Sequence, residues 1–305
     1  GIQHHKILDI DSKNPLTVIK ILYSIGQIIK NNEITIVHTH HRMAAFYIRL
    51  LKFVCPKLTH VYTAHNVFKD KLPLYRFALK NAKSVAVGEA VNTNLKEDVG
   101  ITDSKVIYNG VILKGTDNQV DDIVGYDGTK LGCIARLSEQ KGLIYLIEAM
   151  SLLTVKDIRL FIVGDGELRN ELENKVKELH LQDSVTFLGY RKDIVECINS
   201  FDFCVLPSVF EGFGLVAIEA FMNSKTLVAT DIPGLNEVVT NKNGVLVPAK
   251  DSAALASAID KLATDATLRQ ELASQAKKDY ENKFSYPLFL ENYRELYREL
   301  KGESK

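Results

Sequence analysis

Two cations and two carboxylates stand out in this sequence for residue types and spacing that could do chemistry. Arg136 and Lys141 lie in the stretch Arg136-Leu137-Ser138-Glu139-Gln140-Lys141-Gly142, between a strand-like run and a helix-like one. A loop of this composition can clamp a diphosphate. The guanidinium offers a planar fork, the ammonium a point charge, and the following helix its free N–H groups. The bland reading of both cations is solvated loop charge. Further along, Glu211-Gly212-Phe213-Gly214-Leu215 follows the apolar run Phe203–Pro207, and Glu219 comes after it with seven residues between the two glutamates. Two glycines let backbone approach a ligand, and a helix starting about Gly214 aims its amides at an anion. A carboxylate beside a phosphate site is electrostatically awkward unless it accepts hydrogen bonds from hydroxyl groups, which sugars present. As plain structure, Glu219 is a helix-dipole partner and Glu211 a loop charge.

Histidines form a second group. His38-Thr39-His40-His41-Arg42 follows the run Ile34–Val37, and Ala64-His65-Asn66 follows His60–Thr63. In open α/β sheets ligands bind beyond the carboxyl ends of strands, so both places merit attention. His38, His40 and His41 invite a zinc reading, but no carboxylate or cysteine partner accompanies them at ligand spacing. Asp9-Ile10-Asp11 has the spelling of a metal-binding acidic pair without a preceding strand context, and reads as a surface turn. No metal is expected.

The elements that must position these residues alternate almost throughout. Short β-branched runs recur at Ile34–His38, His60–His65, Ser84–Glu89, Val106–Asn109, Leu131–Leu137, Leu160–Gly164, Val185–Tyr190, Phe203–Pro207, Thr226–Thr230 and Val245–Pro248. Helical spacing separates most of them, as in Leu143, Leu146, Ile147 and Met150. Such alternation predicts α/β architecture, parallel sheets with helices on both faces. The opening shows a strand-like Lys6–Ile10 and a helix Leu16–Lys30 entered at Pro15. Residues 113–130 are polar, acidic and Gly-punctuated, and read as a linker between a domain at 1–112 and one at 131–282. Residues 283–305 carry Phe289, Tyr293, Leu296, Tyr297 and Leu300 as one stripe of a long helix. With no strand after it, this helix either closes the second domain or crosses back to the first.

Composition sets bounds on function. The chain has 305 residues, 46% hydrophobic and 25% charged, with 38 basic residues against 38 acidic. No net field argues for nucleic acid, and no apolar run approaches the roughly 18 residues that span a bilayer. Through Ile112, however, 15 Lys/Arg meet 8 Asp/Glu, and from Arg42 to Lys83 only Asp70 offsets nine basic residues. That bias is either a solvated face or an attraction to an anionic membrane surface or phosphate-bearing substrate. Cys55, Cys133, Cys197 and Cys204 sit in apolar contexts, as in a reduced cytoplasmic core.

The setting Ser208-Val209-Phe210-Glu211-Gly212-Phe213-Gly214-Leu215-Val216-Ala217-Ile218-Glu219-Ala220 resembles the E-x7-E motif of retaining GT-B glycosyltransferases of family 4, the group 1 transferases. Other parts agree in order: Arg136 with Lys141-Gly142, Val163-Gly164-Asp165-Gly166, Phe187-Leu188-Gly189-Tyr190, Pro233-Gly234-Leu235-Asn236-Glu237, and Gly244-Val245-Leu246-Val247. The resemblance implies two Rossmann-like doubly wound domains facing a cleft. Members usually open with a strand, a Gly-Gly loop and a helix that are not found before Ile34, so the first domain is expected to be incomplete. It implies that Arg136 and Lys141 neutralise the diphosphate of a UDP- or GDP-sugar, that Glu219 binds ribose hydroxyls, and that Glu211 holds hydroxyls of the transferred hexose. The amides of Phe213, Gly214 and Leu215 would meet its phosphates. Gly164, Gly166, Gly189 and Tyr190 would flank the base, and His65 would lie near the hexose. His40 or Arg42 would face the acceptor.

The reaction so implied is retaining and independent of metal or cofactor, with a saccharide or lipid-linked acceptor, in surface polysaccharide assembly such as capsule or lipopolysaccharide. The enzyme would be cytoplasmic, or peripheral at the inner face of the membrane. Three other classes compete. A sugar-nucleotide-binding protein or inactive fragment would bind without turnover. A dinucleotide oxidoreductase needs a third glycine that Gly164-Asp165-Gly166 lacks. A glycoside hydrolase using Glu211 and Glu219 as its carboxylate pair has no use for the cation clamp.

Overall fold

The computed structural model describes residues 2–12 and 14–302. They divide into two units, one taking the described residues of 1–107 and of 293–305, the other residues 108–292.

The first unit is a parallel sheet of four strands in sequential order: β1 (Ile36–Thr39), β2 (Thr59–Ala64), β3 (Lys83–Ala86) and β4 (Ser104–Val106). Its helices are α1 (Pro15–Asn31), α2 (Arg42–Leu51), α3 (Leu72–Leu79) and α4 (Glu89–Asn94). Helix α1 starts where local chemistry says it should. Asn14 accepts the Leu16 amide at 2.9 Å as cap, and Pro15 supplies a preset φ at the first position. Ile29, Ile48, Leu51 and Leu58 bury together and join α1 and α2 to the sheet. The strand expected at Lys6–Ile10 does not form. Those residues have no ladder; the Tyr47 hydroxyl donates to the Ile10 carbonyl at 3.1 Å, and Asp9 accepts from the Asp11 and Ser12 amides in a local turn. A strand pattern needs a neighbour to accept its hydrogen bonds, and this one has none among the described residues.

The second unit holds β5 (Thr129–Ile134), β6 (Ile158–Val163), β7 (Val185–Gly189), β8 (Phe203–Leu206), β9 (Leu227–Thr230) and β10 (Val245–Val247), all parallel, in the order β10-β9-β8-β5-β6-β7. Strands β8 and β9 are buried at every position, which is why they read as unbroken apolar runs rather than alternating ones. The helices are α5 (Asp121–Val124), α6 (Leu143–Leu152), α7 (Arg169–Glu178), α8 (Ile194–Ser200), α9 (Leu215–Met222), α10 (Ser252–Thr264), α11 (Ala266–Asp279) and α12 (Tyr286–Lys301). Leu131, Leu146, Ile147, Leu160, Phe203 and Ile259 anchor one continuous core, each fully buried.

Residues 113–130, read from composition as a linker, group with this second unit and are docked on it. Thr116 donates from its amide and hydroxyl to Glu196 (2.9 and 3.0 Å), Val120 donates to the Ser200 hydroxyl (2.8 Å), and Ile123 of α5 is fully buried. Polar composition hid this because the docking is mostly by backbone and side-chain hydrogen bonds. Helix α12 is shared: residues to Asn292 group with the second unit and those from Tyr293 with the first. Residues 303–305 of the segment read as its helix lie outside the described residues. Among the described residues no helix is long and apolar enough to cross a membrane.

Candidate active site

Strands β5 and β8 are neighbours in the second sheet, with β6 and β7 continuing on one side and β9 and β10 on the other. The chain therefore reverses direction of winding at this pair, the place where open α/β sheets bind ligands. The loop after β5 carries Arg136 and Lys141, and the loop after β8 carries Glu211.

These two loops are clasped together. The Val209 amide donates to the Gln140 carbonyl at 2.8 Å, and the Gln140 side chain donates to the Phe210 carbonyl at 3.0 Å. Gly142 closes the short 3-10 turn Glu139–Lys141 with φ +63°, and a Cβ there would fall 2.2 Å from the Pro207 carbonyl oxygen. Only glycine meets both demands. The clasp sets Lys141 Nζ 2.5 Å from Glu211 Oε1, and the Ser208 hydroxyl donates to the same oxygen at 2.9 Å. The two side chains are 22% and 11% exposed. Oε2 of Glu211 has no hydrogen bond among the described residues and stays open as an acceptor.

Arg136 behaves differently. Its Nε and Nη2 lie 3.3 and 3.1 Å from Glu167 Oε2, and the guanidinium side chain is 72% exposed. Glu219 sits within α9, and burial pushes its carboxyl up to about 7. That carboxyl has no hydrogen-bond or ionic partner among the described residues, so it is a half-desolvated acceptor awaiting a donor.

The remaining loops are laced to the same edge. The Gly164 amide donates to the Gly189 carbonyl (2.8 Å), and the Leu137 amide to the Asp165 carbonyl (3.0 Å), which joins the ends of β5, β6 and β7. Gly164 has φ +135°, and a Cβ would lie 1.9 Å from the Ala135 carbonyl oxygen. Gly166 donates its amide to the Asp165 side chain at 2.8 Å. Tyr190 is 75% exposed and packs little. Phe213 is buried, its ring stacked on Tyr108 at 5.7 Å and edge-on to Phe284. Of the three amides expected at phosphates, those of Gly214 and Leu215 donate to the Gly234 (3.3 Å) and Phe213 (2.8 Å) carbonyls.

In the first unit the histidines meet at the ends of β1 and β2. His40 Nδ1 lies 3.0 Å from His65 Nε2, and the His38 and His40 rings are 4.3 Å apart. Burial holds His40 and His65 below the ordinary imidazole value, with His40 adding to the effect at His65. Arg42 opens α2, pairs with Asp70 at 3.0 Å and lies 3.7 Å over the Phe68 ring. Other members of the basic run are also engaged locally: Lys52 with the Asn81 carbonyl, Arg76 with the Val99 carbonyl, Lys83 with Asp103. Much of that charge thus stitches the unit together. Among the described residues no group of three or more His, Cys, Asp or Glu is arranged to hold a metal.

Comparison with known proteins gives this arrangement its context. The family model described as glycosyl transferases group 1 matches residues 125–279, just over half of the chain, and that described as glycosyltransferase family 4 matches residues 1–114. The chain belongs to the group 1 glycosyltransferases. The uncharacterised glycosyltransferase MJ1607 of Methanocaldococcus jannaschii is 29% identical over 280 residues, 82% of this chain and 72% of that one. The capsular polysaccharide biosynthesis glycosyltransferase CapM of Staphylococcus aureus is 28% identical over 183 residues, 59% of this chain and 48% of that one. The crystal structure of Anabaena Alr3699/HepE in complex with UDP superposes with a TM-score of 0.84 at 23% identity, covering 92% of this chain and 82% of that chain. At that identity the likeness is one of fold, the GT-B class of two parallel-sheet α/β domains.

Within this glycosyltransferase, sequence reading missed four side chains, two that touch assigned residues and two that reach neighbours of His40 and His65. Glu167 pairs with Arg136, Ser208 donates to Glu211, and Tyr293 and Tyr297 reach Thr63 and His38. A signal existed for the tyrosines: a helix stripe built from Tyr rather than Leu brings hydroxyls that need partners when covered.

Proposed function

We propose that this glycosyltransferase moves a hexose, with retention at the anomeric carbon and without a metal, from a UDP- or GDP-sugar to a saccharide or lipid-linked acceptor in surface polysaccharide assembly. The observation that carries the reading is the Lys141–Glu211 contact, a cation and a sugar-grade acceptor clasped at the ends of the two central strands. Transfer builds negative charge on the departing diphosphate. Lys141 and the exposed, redirectable Arg136 supply fixed positive charge to it, a role worth roughly 3–4 kcal/mol per lost group at the transition state. Engaging the diphosphate would release Glu211 from Lys141, leaving Oε1 to the Ser208 hydroxyl and Oε2 open for hexose hydroxyls. Glu219 accepts ribose hydroxyls, and the turn at Gly164–Gly166 with the Gly189–Tyr190 step flanks the base. The Phe213–Leu215 amides meet phosphate only if Gly214 and Leu215 give up their present carbonyl partners. His65 is assigned to the reacting sugar, with His40 and Arg42 on the acceptor side.

The UDP bound by HepE and the polysaccharide role in the name of CapM support the donor and the pathway class. Three buried free thiols, Cys133, Cys197 and Cys204, suit a reducing cytoplasm. The test is a thermal-shift panel of UDP-, GDP- and ADP-sugars, followed by turnover of the best donor with and without EDTA and NMR of the product anomer. Stabilisation by one nucleotide class, EDTA-resistant turnover and a retained anomer are expected. Binding without turnover favours a sugar-nucleotide-binding protein, and an inverted product overturns the stereochemical claim.

A further inference from the structure

The histidine strip of the first unit has a connectivity that its members taken singly do not suggest. The Tyr297 hydroxyl of α12 lies 2.7 Å from His38 Nδ1, and Thr63 Oγ1 lies 2.7 Å from His38 Nε2. Thr63 is held in turn by the Tyr293 hydroxyl at 2.8 Å. Both nitrogens of His38 are engaged, so its ring cannot flip without breaking two hydrogen bonds. Burial drops His38 to about 4, which leaves it neutral, with one nitrogen donating and the other accepting as the clamp requires. Its ring packs 4.3 Å from His40, tilted by 31°, and so walls one side of that imidazole. His40 Nδ1 then meets His65 Nε2 at 3.0 Å. In a neutral pair one nitrogen donates and the other accepts. Whichever way the proton sits, Nε2 of His65 is occupied and Nδ1 is the nitrogen left to face a ligand.

We propose that the C-terminal helix orients His65: Tyr297 and Thr63 clamp His38, His38 backs His40, and His40 holds Nε2 of His65 so that Nδ1 is presented to substrate. Tyr297, His38 and His40 are then positioning residues for transfer. This rests on the reading that His65 serves the reacting sugar. The physical reason is that His65 stands at a partly open strand end, where an unbraced imidazole samples both ring orientations. Small misplacements of a group at a reacting centre cost rate out of proportion to their size.

The test is NMR of the chain labelled with 15N-histidine, comparing wild type with Tyr297→Phe, which deletes one hydroxyl and nothing else. In wild type, the His65 Nε2 signal should be that of a hydrogen-bonded nitrogen. In Tyr297→Phe the His38 ring signals should move, and the His65 Nε2 signal should shift toward that of an unbonded nitrogen. Hydrolysis of the nucleotide sugar giving the largest thermal shift should lose about tenfold in kcat at unchanged KM. His40→Asn puts an amide where Nδ1 stood and should keep most of the rate, whereas His40→Ala should not. His65 signals identical to wild type in Tyr297→Phe, or His40→Asn no better than His40→Ala, would overturn the proposal. The histidine NMR decides it even if His65→Ala hydrolyses donor normally, a result that would instead remove His65 from the sugar side.

Discussion

Replacing Lys141 by Met separates what its ion pair does for the fold from what its charge does for the reaction. Removing one partner from a fully buried pair costs about 3–5 kcal/mol, because the other charge is left uncompensated. Here the two side chains keep 22% and 11% exposure, and Ser208 still donates to the stranded Oε1. Water access and that hydrogen bond offset part of the loss, leaving about 2 kcal/mol. With an m-value of about 3 kcal/mol/M for a chain of this size, the urea midpoint should fall by about 0.7 M at constant m. Adding Glu211→Gln to Lys141→Met should recover more than half of that, since no lone carboxylate then remains. The kinetic effect should be larger than the structural one. Loss of about 3 kcal/mol of charge stabilisation on the leaving diphosphate lowers kcat about a hundredfold, with little change in donor KM. A midpoint shift without a fall in kcat would make the pair purely structural. Neither effect would mean that Lys141 is an ordinary loop charge and the diphosphate clamp is wrong.

Four further outcomes follow from the same geometry. Glu219 has its folded carboxyl at about 7 against an ordinary 4.5, so the folded state holds its proton more tightly. The stability it contributes is complete below pH 4.5 and lost as pH rises through 7, about 3 kcal/mol across that window, and Glu219→Gln should flatten this stretch of a pH–stability curve. Donor hydroxyls should favour the carboxylate form, so calorimetry of UDP binding near pH 6.5 in buffers of different ionisation enthalpy should detect proton release that Glu219→Gln abolishes. Arg136→Ala removes a 72% exposed side chain whose ion pair with Glu167 adds little, so its Tm should stay within a few degrees while donor affinity falls at least tenfold by calorimetry. Gly142→Ala forces a Cβ to 2.2 Å from the Pro207 carbonyl, and a loss of more than about 3 kcal/mol, or failure to fold, should appear in urea unfolding; wild-type stability would show that the loop clasp is not rigid.

Local pattern determined a great deal. Each of the ten β-branched runs overlaps a strand, with ends displaced by up to three residues and Val106–Asn109 meeting β4 only at Val106, because burial on both faces of a parallel sheet demands continuous Val, Ile and Leu. The cap at Asn14 and the entry at Pro15 placed α1 for equally local reasons. Residue types and spacing also marked Arg136, Lys141, Glu211 and Glu219, of which Lys141 and Glu211 meet in the structure. Where a segment depended on a partner far along the chain, the pattern failed. Lys6–Ile10 is spelled as a strand but finds no ladder, and residues 113–130 look like a tether yet hydrogen-bond to α8 across 80 positions.

Only the tertiary structure decided which charges meet. Lys141 reaches Glu211 across 70 residues because β5 and β8 are adjacent, an order that no periodicity specifies. Arg136 turns instead to Glu167, since the loop after β6 is laced to Leu137 by backbone hydrogen bonds. Tyr297 finds His38 at a separation of 259 residues, because the last helix returns to the first sheet. Composition announces that such groups will seek partners, since buried polar atoms left unpaired are costly, but chain topology alone selects them.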